Sequence, residues 1–119
     1  MTEEAGDAAL VRVGTHVLID VRDASRLGEV AHLEAILRRA AGAAGATVLA
    51  AHFHHFGPGM GVTGVLMLAE SHISIHTWPE HRFAALDVFM CGAARIDAAI
   101  EVIEAAFAGG RIEVRRLAR

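Results

Sequence analysis

Residues that could carry acid–base and nucleophilic chemistry are concentrated in the stretch from Glu70 to Trp78, which reads ESHISIHTW. Ser71 offers a hydroxyl, and imidazole side chains exchange protons near neutral pH. In a strand alternate side chains point to opposite sides, so His72, Ser74 and His76 are predicted to share one side. Of the 8 histidines, five fall within a short span. They are His52, His54, His55, His72 and His76. Three interpretations fit this pattern.

The first is a metal site. Two imidazoles two or four residues apart on a strand can converge on a divalent ion. A catalytic zinc needs a third protein ligand, and here Glu70, Glu80 or Asp87 could supply it. The spacing does not choose among the three.

The second interpretation is structural. Histidines in small apolar domains are commonly half-buried and hydrogen-bonded to the backbone. Taken singly, His16, His32, His52 and His81 fit this interpretation better than a ligand role.

The third is a self-cleaving site. A serine hydroxyl held against the preceding carbonyl can convert the Glu70–Ser71 amide into an ester. A base then removes the Ser71 Cα proton, the Glu70 carboxylate leaves, and the resulting dehydroalanine hydrolyses to a pyruvoyl group. This chemistry needs a donor on the carbonyl and a nearby imidazole, and Thr63 and His76 are of the right types.

The composition narrows the chemistry further. The chain has 119 residues and no lysine, so lysine-anchored pyridoxal phosphate, a lysine Schiff base and a Walker A lysine are excluded. A pyruvoyl carbonyl would supply the electrophile that a chain without lysine lacks. The formal net charge is -3, which does not suggest a nucleic-acid surface.

These candidates must be positioned by the regular elements that hydrophobic periodicity predicts. Runs of adjacent strands with short connections favour an antiparallel sheet. We therefore predict an α+β fold, a two-layer sandwich with both helices on one face of the sheet. The strand at 83–91 is apolar at nearly every position, so we expect both of its faces to be covered. The predicted strands are 16–21, 47–56, 65–69, 72–77, 83–91 and 111–117, and the predicted helices are 28–41 and 95–107.

Length and cysteine content indicate a single domain, residues 1–119, in a reducing compartment. The single cysteine, Cys91, cannot form an internal disulfide. The acidic start differs from a signal peptide, residues 1–12 are expected to be a frayed leader, and a cytoplasmic location with no membrane contact is predicted. Because many core positions are alanine, each buries little area, which favours a large interface with a second copy.

Three segments together resemble the prokaryotic S-adenosylmethionine decarboxylase family, in its short, pyruvoyl-dependent class. They are Gly61–Val65 (GVTGV), Glu70–Glu80 (ESHISIHTWPE) and Asp87–Gly92 (DVFMCG). The central segment is long, unbroken and contains Trp and Pro, so it is specific. Weaker similarity extends over residues 14–117.

The resemblance implies self-cleavage into residues 1–70, the β chain, and 71–119, the α chain. It implies that Ser71 becomes the pyruvoyl group, which forms a Schiff base with substrate. It also implies two copies paired as a homodimer, with active sites near the junction. Further roles implied are proton acceptor in processing for His76, processing helper for Thr63, proton donor for Cys91, and substrate binding for Phe56, Trp78 and Glu80.

The implied reaction removes carbon dioxide from S-adenosylmethionine, giving the aminopropyl donor for spermidine synthesis, with neither pyridoxal phosphate nor metal. Two alternatives stay open at this point. Within the class, the substrate could be arginine or ornithine. Outside it, the chain could be a histidine-rich metal-binding β protein or an inactive paralogue that acts as a partner subunit.

Overall fold

The computed structural model describes residues 11–119, so most of the predicted leader lies outside the described residues. The strands and helices follow the predicted order, with ends shifted by up to three residues. They are β1 (Gly14–Arg22), α1 (Val30–Ala44), β2 (Val48–His55), β3 (Val62–Leu68), β4 (Ser71–Trp78), a 3₁₀ turn (Pro79–His81), β5 (Phe83–Cys91), α2 (Ile96–Ala106) and β6 (Arg111–Ala118).

The six strands form one sheet in the order β2-β3-β4-β5-β1-β6, and every neighbouring pair is antiparallel. Short turns connect β2, β3, β4 and β5 in sequence, as hairpins require. β1 instead lies between β5 and β6, with Val17 opposite Val88 on one side and opposite Arg116 on the other. This pairing completes the predicted antiparallel α+β sandwich.

The core lies between one face of the sheet and the two helices, which also pack on each other. Alternation along β1 buries Val17, Ile19 and Val21 completely. Each fully buried aliphatic side chain of this size contributes roughly 1.5–3 kcal/mol. The apolar stripe of α1 is buried as its spacing predicts, and α1 ends at Gly45, whose φ of 78° is in the left-handed region that favours glycine.

The expectation that both faces of β5 are covered is wrong. Burial alternates along the strand, with Leu86 and Val88 buried while Asp87 and Phe89 are only half-buried. The physical reason is that both helices lie on the same side, so within residues 11–119 nothing covers the other side. The apolar residues on that side of β5 are therefore not part of the core of one chain.

We call this uncovered side of the sheet the open face. It carries both polar groups and exposed apolar side chains, among which Met67 is 51% exposed, Trp78 39% and Leu117 49%. Within the described part of the chain, no helix is long and apolar enough to cross a membrane. The residues of the open face used below are His16, Thr63, Met67, His72, Ser74, His76, Trp78, Asp87, Phe89 and Leu117.

Candidate active site

The Glu70–Ser71 peptide bond lies in the tight turn between β3 and β4. Leu68 pairs with Ser71, so only Ala69 and Glu70 form the connection. Glu70 has a φ of 58°, in the left-handed region, which costs a residue with a side chain about 1–2 kcal/mol. Strain is thus located at the residue whose carbonyl Ser71 would attack.

The Cys91 thiol lies against that same carbonyl. Its Sγ atom donates to the Glu70 carbonyl oxygen at 3.1 Å and lies 3.7 Å from Glu70 Oε1. Ser71 and Cys91 also line one cavity of about 290 Å³, together with Arg95 and the loop between α1 and β2. We call Glu70, Ser71 and Cys91 the scissile end. By strand alternation Ser71 points to the helix side of the sheet, like Ile73, whereas Cys91 points to the open face, like Phe89.

A second group lies at the other end of β4. The Thr63 hydroxyl is 3.2 Å from Nδ1 of His76, across the β3–β4 pair. Both residues line a cavity of about 220 Å³ whose walls include two exposed aromatic side chains and a carboxylate, namely Phe56, Trp78 and Glu80. We call these five residues the histidine end.

The structure brings together some predicted partners and separates others. It brings Cys91 to Ser71 and Thr63 to His76. It does not bring His76 to Ser71, since five strand residues span about 16 Å. Within one chain, the imidazole of His76 is therefore out of reach of the Ser71 Cα proton.

Between the two ends, the carboxylate of Asp87 is the centre of a hydrogen-bond network on the open face. Its Oδ2 atom is 2.7 Å from Nε2 of His16 and 2.7 Å from Nε2 of His72, and its Oδ1 atom accepts from Ser74 Oγ. Burial acts to raise the pKa of Asp87, but the hydrogen bonds from Ser74, His16 and His72 outweigh it and hold this pKa below its usual range.

The ligand atoms of His16, His72 and Asp87 lie within 4.8 Å of one another, and they are the one group with metal-ligand spacing in residues 11–119. Arg119 determines which ring nitrogen of His16 carries the proton. Its guanidinium is 3.1 Å from Nδ1 of His16 and can only donate hydrogen bonds. Nδ1 must then accept, so Nε2 carries the proton. In this arrangement the Nε2 lone pair is not free for a metal, and the group is a hydrogen-bond network. Of the histidines whose spacing suggested a metal, His72 belongs to this group, whereas His52, His54 and His76 do not.

Sequence reasoning did not connect His16 with Asp87. Strand alternation placed His72 and Ser74 on one side correctly. The missing information was that β1 pairs with β5, which sets Leu18 opposite Asp87 and His16 within reach of it. No short-range pattern reports a pairing between residues so far apart in the chain.

Together these elements define a small two-layer α+β sandwich whose candidate site comprises the turn between β3 and β4 and side chains on the open face. The chain belongs to the S-adenosylmethionine decarboxylase family, because the model of that family matches residues 15–119.

Individual relatives agree with this assignment. The S-adenosylmethionine decarboxylase proenzyme of Symbiobacterium thermophilum is 42% identical over 110 residues, covering 89% of this chain and 82% of that protein. The proenzyme of Thermodesulfovibrio yellowstonii is 46% identical over 82 residues, or 67% of this chain and 60% of that protein. In two such relatives the matched region covers 60% and 61% of the relative's own length, which is less than two thirds.

The fold is also similar to that of a solved enzyme. The crystal structure of the adenosylmethionine decarboxylase from Aquifex aeolicus VF5 superposes with a TM-score of 0.82 at 33% identity, over 92% of each chain. This chain therefore shares its fold, an antiparallel sheet with two helices on one face, with that enzyme.

Proposed function

We propose that this protein is a pyruvoyl-dependent decarboxylase of S-adenosylmethionine that forms its own prosthetic group by cutting between Glu70 and Ser71. The observation that carries the proposal is the scissile end: a strained Glu70 with the Cys91 thiol against its carbonyl oxygen. Family membership supports S-adenosylmethionine over arginine or ornithine. The free thiol suits a reducing compartment, so we propose that the enzyme works in the cytoplasm.

In the proposed self-cleavage, Ser71 Oγ attacks the Glu70 carbonyl carbon, and the C–N bond breaks to give an ester and a free amine. The Cys91 thiol donates to the carbonyl oxygen while negative charge develops there. A base removes the Ser71 Cα proton, the Cβ–O bond breaks, and the Glu70 carboxylate leaves. Water then hydrolyses the dehydroalanine, and its nitrogen leaves as ammonia. A pyruvoyl group remains at the start of residues 71–119.

The base must come from a second copy of the chain. His76 with its partner Thr63 is about 16 Å from Ser71 along β4, and the open face exposes Met67, Trp78 and Leu117. A two-fold axis between two open faces, perpendicular to β4, reverses one strand relative to the other. It would set the scissile end of one protomer against the histidine end of its partner, forming two equivalent complete sites in a homodimer.

The same assembly fits the decarboxylation. The pyruvoyl group supplies an electrophilic carbonyl that takes up the electrons released as carbon dioxide leaves. Cys91 would stand beside it and return a proton from its thiol to the substrate carbon. Phe56 and Trp78 would stack on the adenine, and Glu80 would accept hydrogen bonds from the ribose.

Intact mass and substrate turnover test the proposal together. The purified chain should separate into residues 1–70 and 71–119, with a carbonyl at the new start of the second fragment, and should release carbon dioxide from S-adenosylmethionine but not from arginine or ornithine. The Ser71→Ala variant should stay full length and inactive. An active but uncut chain would refute the pyruvoyl mechanism, and release from arginine or ornithine alone would refute the substrate.

A further inference from the structure

His72, the second residue after the scissile bond, is held by its side chain in two ways. Its Nε2 atom is 2.7 Å from Asp87 Oδ2, and its ring stacks on Phe89 with an interplanar angle of 25°. Both contacts are made to β5, the strand that also carries Cys91. Because β5 carries both these contacts and Cys91, it fixes the position of His72 relative to the Cys91 thiol.

Asp87 is in turn held rigidly. His16 from β1 and Ser74 from β4 hydrogen-bond to the carboxylate, and Arg119 orients His16. The side chain of Asp87 is 22% exposed, so solvent competes little for these bonds. A carboxylate bound from three sides offers His72 an acceptor at a defined place.

The hydrogen bond between His72 and Asp87, which we call the anchor, matters most once the chain is cut. Before cleavage, Ser71 is tethered through Glu70 on one side and His72 on the other. Afterwards it is the first residue of a chain, attached only through His72, and strand ends fray unless something ties them down. The pyruvoyl carbonyl must nevertheless stay in place beside Cys91, because a small misplacement of a reacting group is costly.

We propose that Asp87 is a positioning residue that acts through His72 to hold the newly formed start of β4 in place for turnover. The inference rests on the proposed function and adds a residue that does not touch the reacting atoms. It predicts an asymmetry: loss of the anchor should leave self-cleavage within about threefold of wild type, since Ser71 is still tethered on both sides. Turnover should fall by roughly 10- to 100-fold, mostly in kcat rather than in KM.

The test compares Asp87→Asn, His72→Phe and the double variant, with Asp20→Asn as the control, an aspartate on the same face that makes no contact with the network. His72→Phe keeps an aromatic ring against Phe89 and leaves Asp87 two partners, so it should fold even if Asp87→Asn does not. Cleavage rate, kcat and KM are measured for each, and hydrogen exchange is followed at the first amides of the cut 71–119 chain.

Support requires three results: normal cleavage with reduced kcat in both single variants, a double variant no worse than the poorer single variant, and faster exchange at the start of the cut chain. The proposal fails if His72→Phe has wild-type kcat, if the two effects multiply in the double variant, or if exchange is unchanged. A wild-type chain that does not cleave would refute the proposed function itself, whereas normal wild-type cleavage with an unaffected His72→Phe refutes only the anchor.

Discussion

The Sγ atom of Cys91 lies 3.1 Å from the carbonyl oxygen of Glu70, the atom on which negative charge develops if Ser71 attacks. The thiol is placed there because β5 ends beside the turn between β3 and β4. In the proposed mechanism one group therefore serves twice, as a weak donor during cleavage and as a proton donor in turnover.

Replacing the thiol should separate these two uses. Because a neutral hydrogen bond contributes about 1 kcal/mol, Cys91→Ala should slow cleavage by no more than about fivefold. Turnover should fall much further, since the carbanion loses its proton donor. Protonation at the pyruvoyl carbon instead, followed by hydrolysis, should leave the substrate's amino nitrogen on that carbon as alanine and release the rest of the substrate as an aldehyde. Mass spectrometry of residues 71–119 after turnover checks this. Full activity without loss of the pyruvoyl group would make Cys91 a packing residue.

The strain at Glu70 should contribute to the rate of cleavage. Glycine adopts a φ of 58° without cost, so Glu70→Gly should stabilise the uncut chain by about 0.5–1 kcal/mol, after subtracting the entropy that glycine adds to the unfolded state. Cleavage should slow by up to about fivefold. Stability is best measured in the Ser71→Ala background, which cannot cut.

Two matched variants isolate the cause. Glu70→Ala removes the carboxylate but keeps the strain, so it should cleave at nearly the wild-type rate. Arg82→Gly relieves a comparable φ of 50° away from the scissile bond and should leave cleavage unchanged. If Glu70→Ala is as slow as Glu70→Gly, the side chain and not the backbone matters.

Complementation tests whether the site is completed by a partner. In a heterodimer of Ser71→Ala and His76→Ala chains, purified through two different tags, one site combines an intact Ser71 with an intact His76. The His76→Ala chain should then be cut while the Ser71→Ala chain stays whole, although each homodimer stays uncut. Absence of cutting in the heterodimer would mean that each chain must supply its own base.

The Asp87 network should make stability depend on pH in acid. The pKa of Asp87 is lowered in the folded protein, below the roughly 3.9 of an unfolded chain. Its carboxylate therefore stabilises the fold above about pH 4, and this contribution is lost as the pH falls through the lowered pKa. At pH 7, Asp87→Asn should unfold about 1–3 kcal/mol more easily than wild type.

That difference should shrink as the pH falls below about 4, because Asp87 takes up a proton first in the unfolded wild type and then, at lower pH, in the folded protein. Urea unfolding of Ser71→Ala chains at pH 7, 5 and 3 measures it, with Asp20→Asn as the control that should show no such trend. If Asp87→Asn is still less stable than wild type by the same amount at pH 3, the substitution disturbs packing rather than removing the effect of the charge.

Much of the fold follows from local patterns in the chain. The three-and-four spacing of Leu33 and Leu37 predicts α1, and the alternation around His72 predicts which side of β4 faces away from the core. Gly45 ends the helix because its backbone adopts positive φ. Such signals lie within a few residues of each other, which is why they can be read without a structure.

The sequence by itself determined the order of elements, the family and the types of residue that the chemistry needs. Only the tertiary structure decided which of them meet. The pairing of β1 with β5 brings His16 to Asp87, and the length of β4 keeps His76 away from Ser71. One side of β5 is covered and the other is not, because both helices pack on the same face of the sheet. These are contacts between distant parts of the chain, and they are set by packing of the whole sheet rather than by any local pattern.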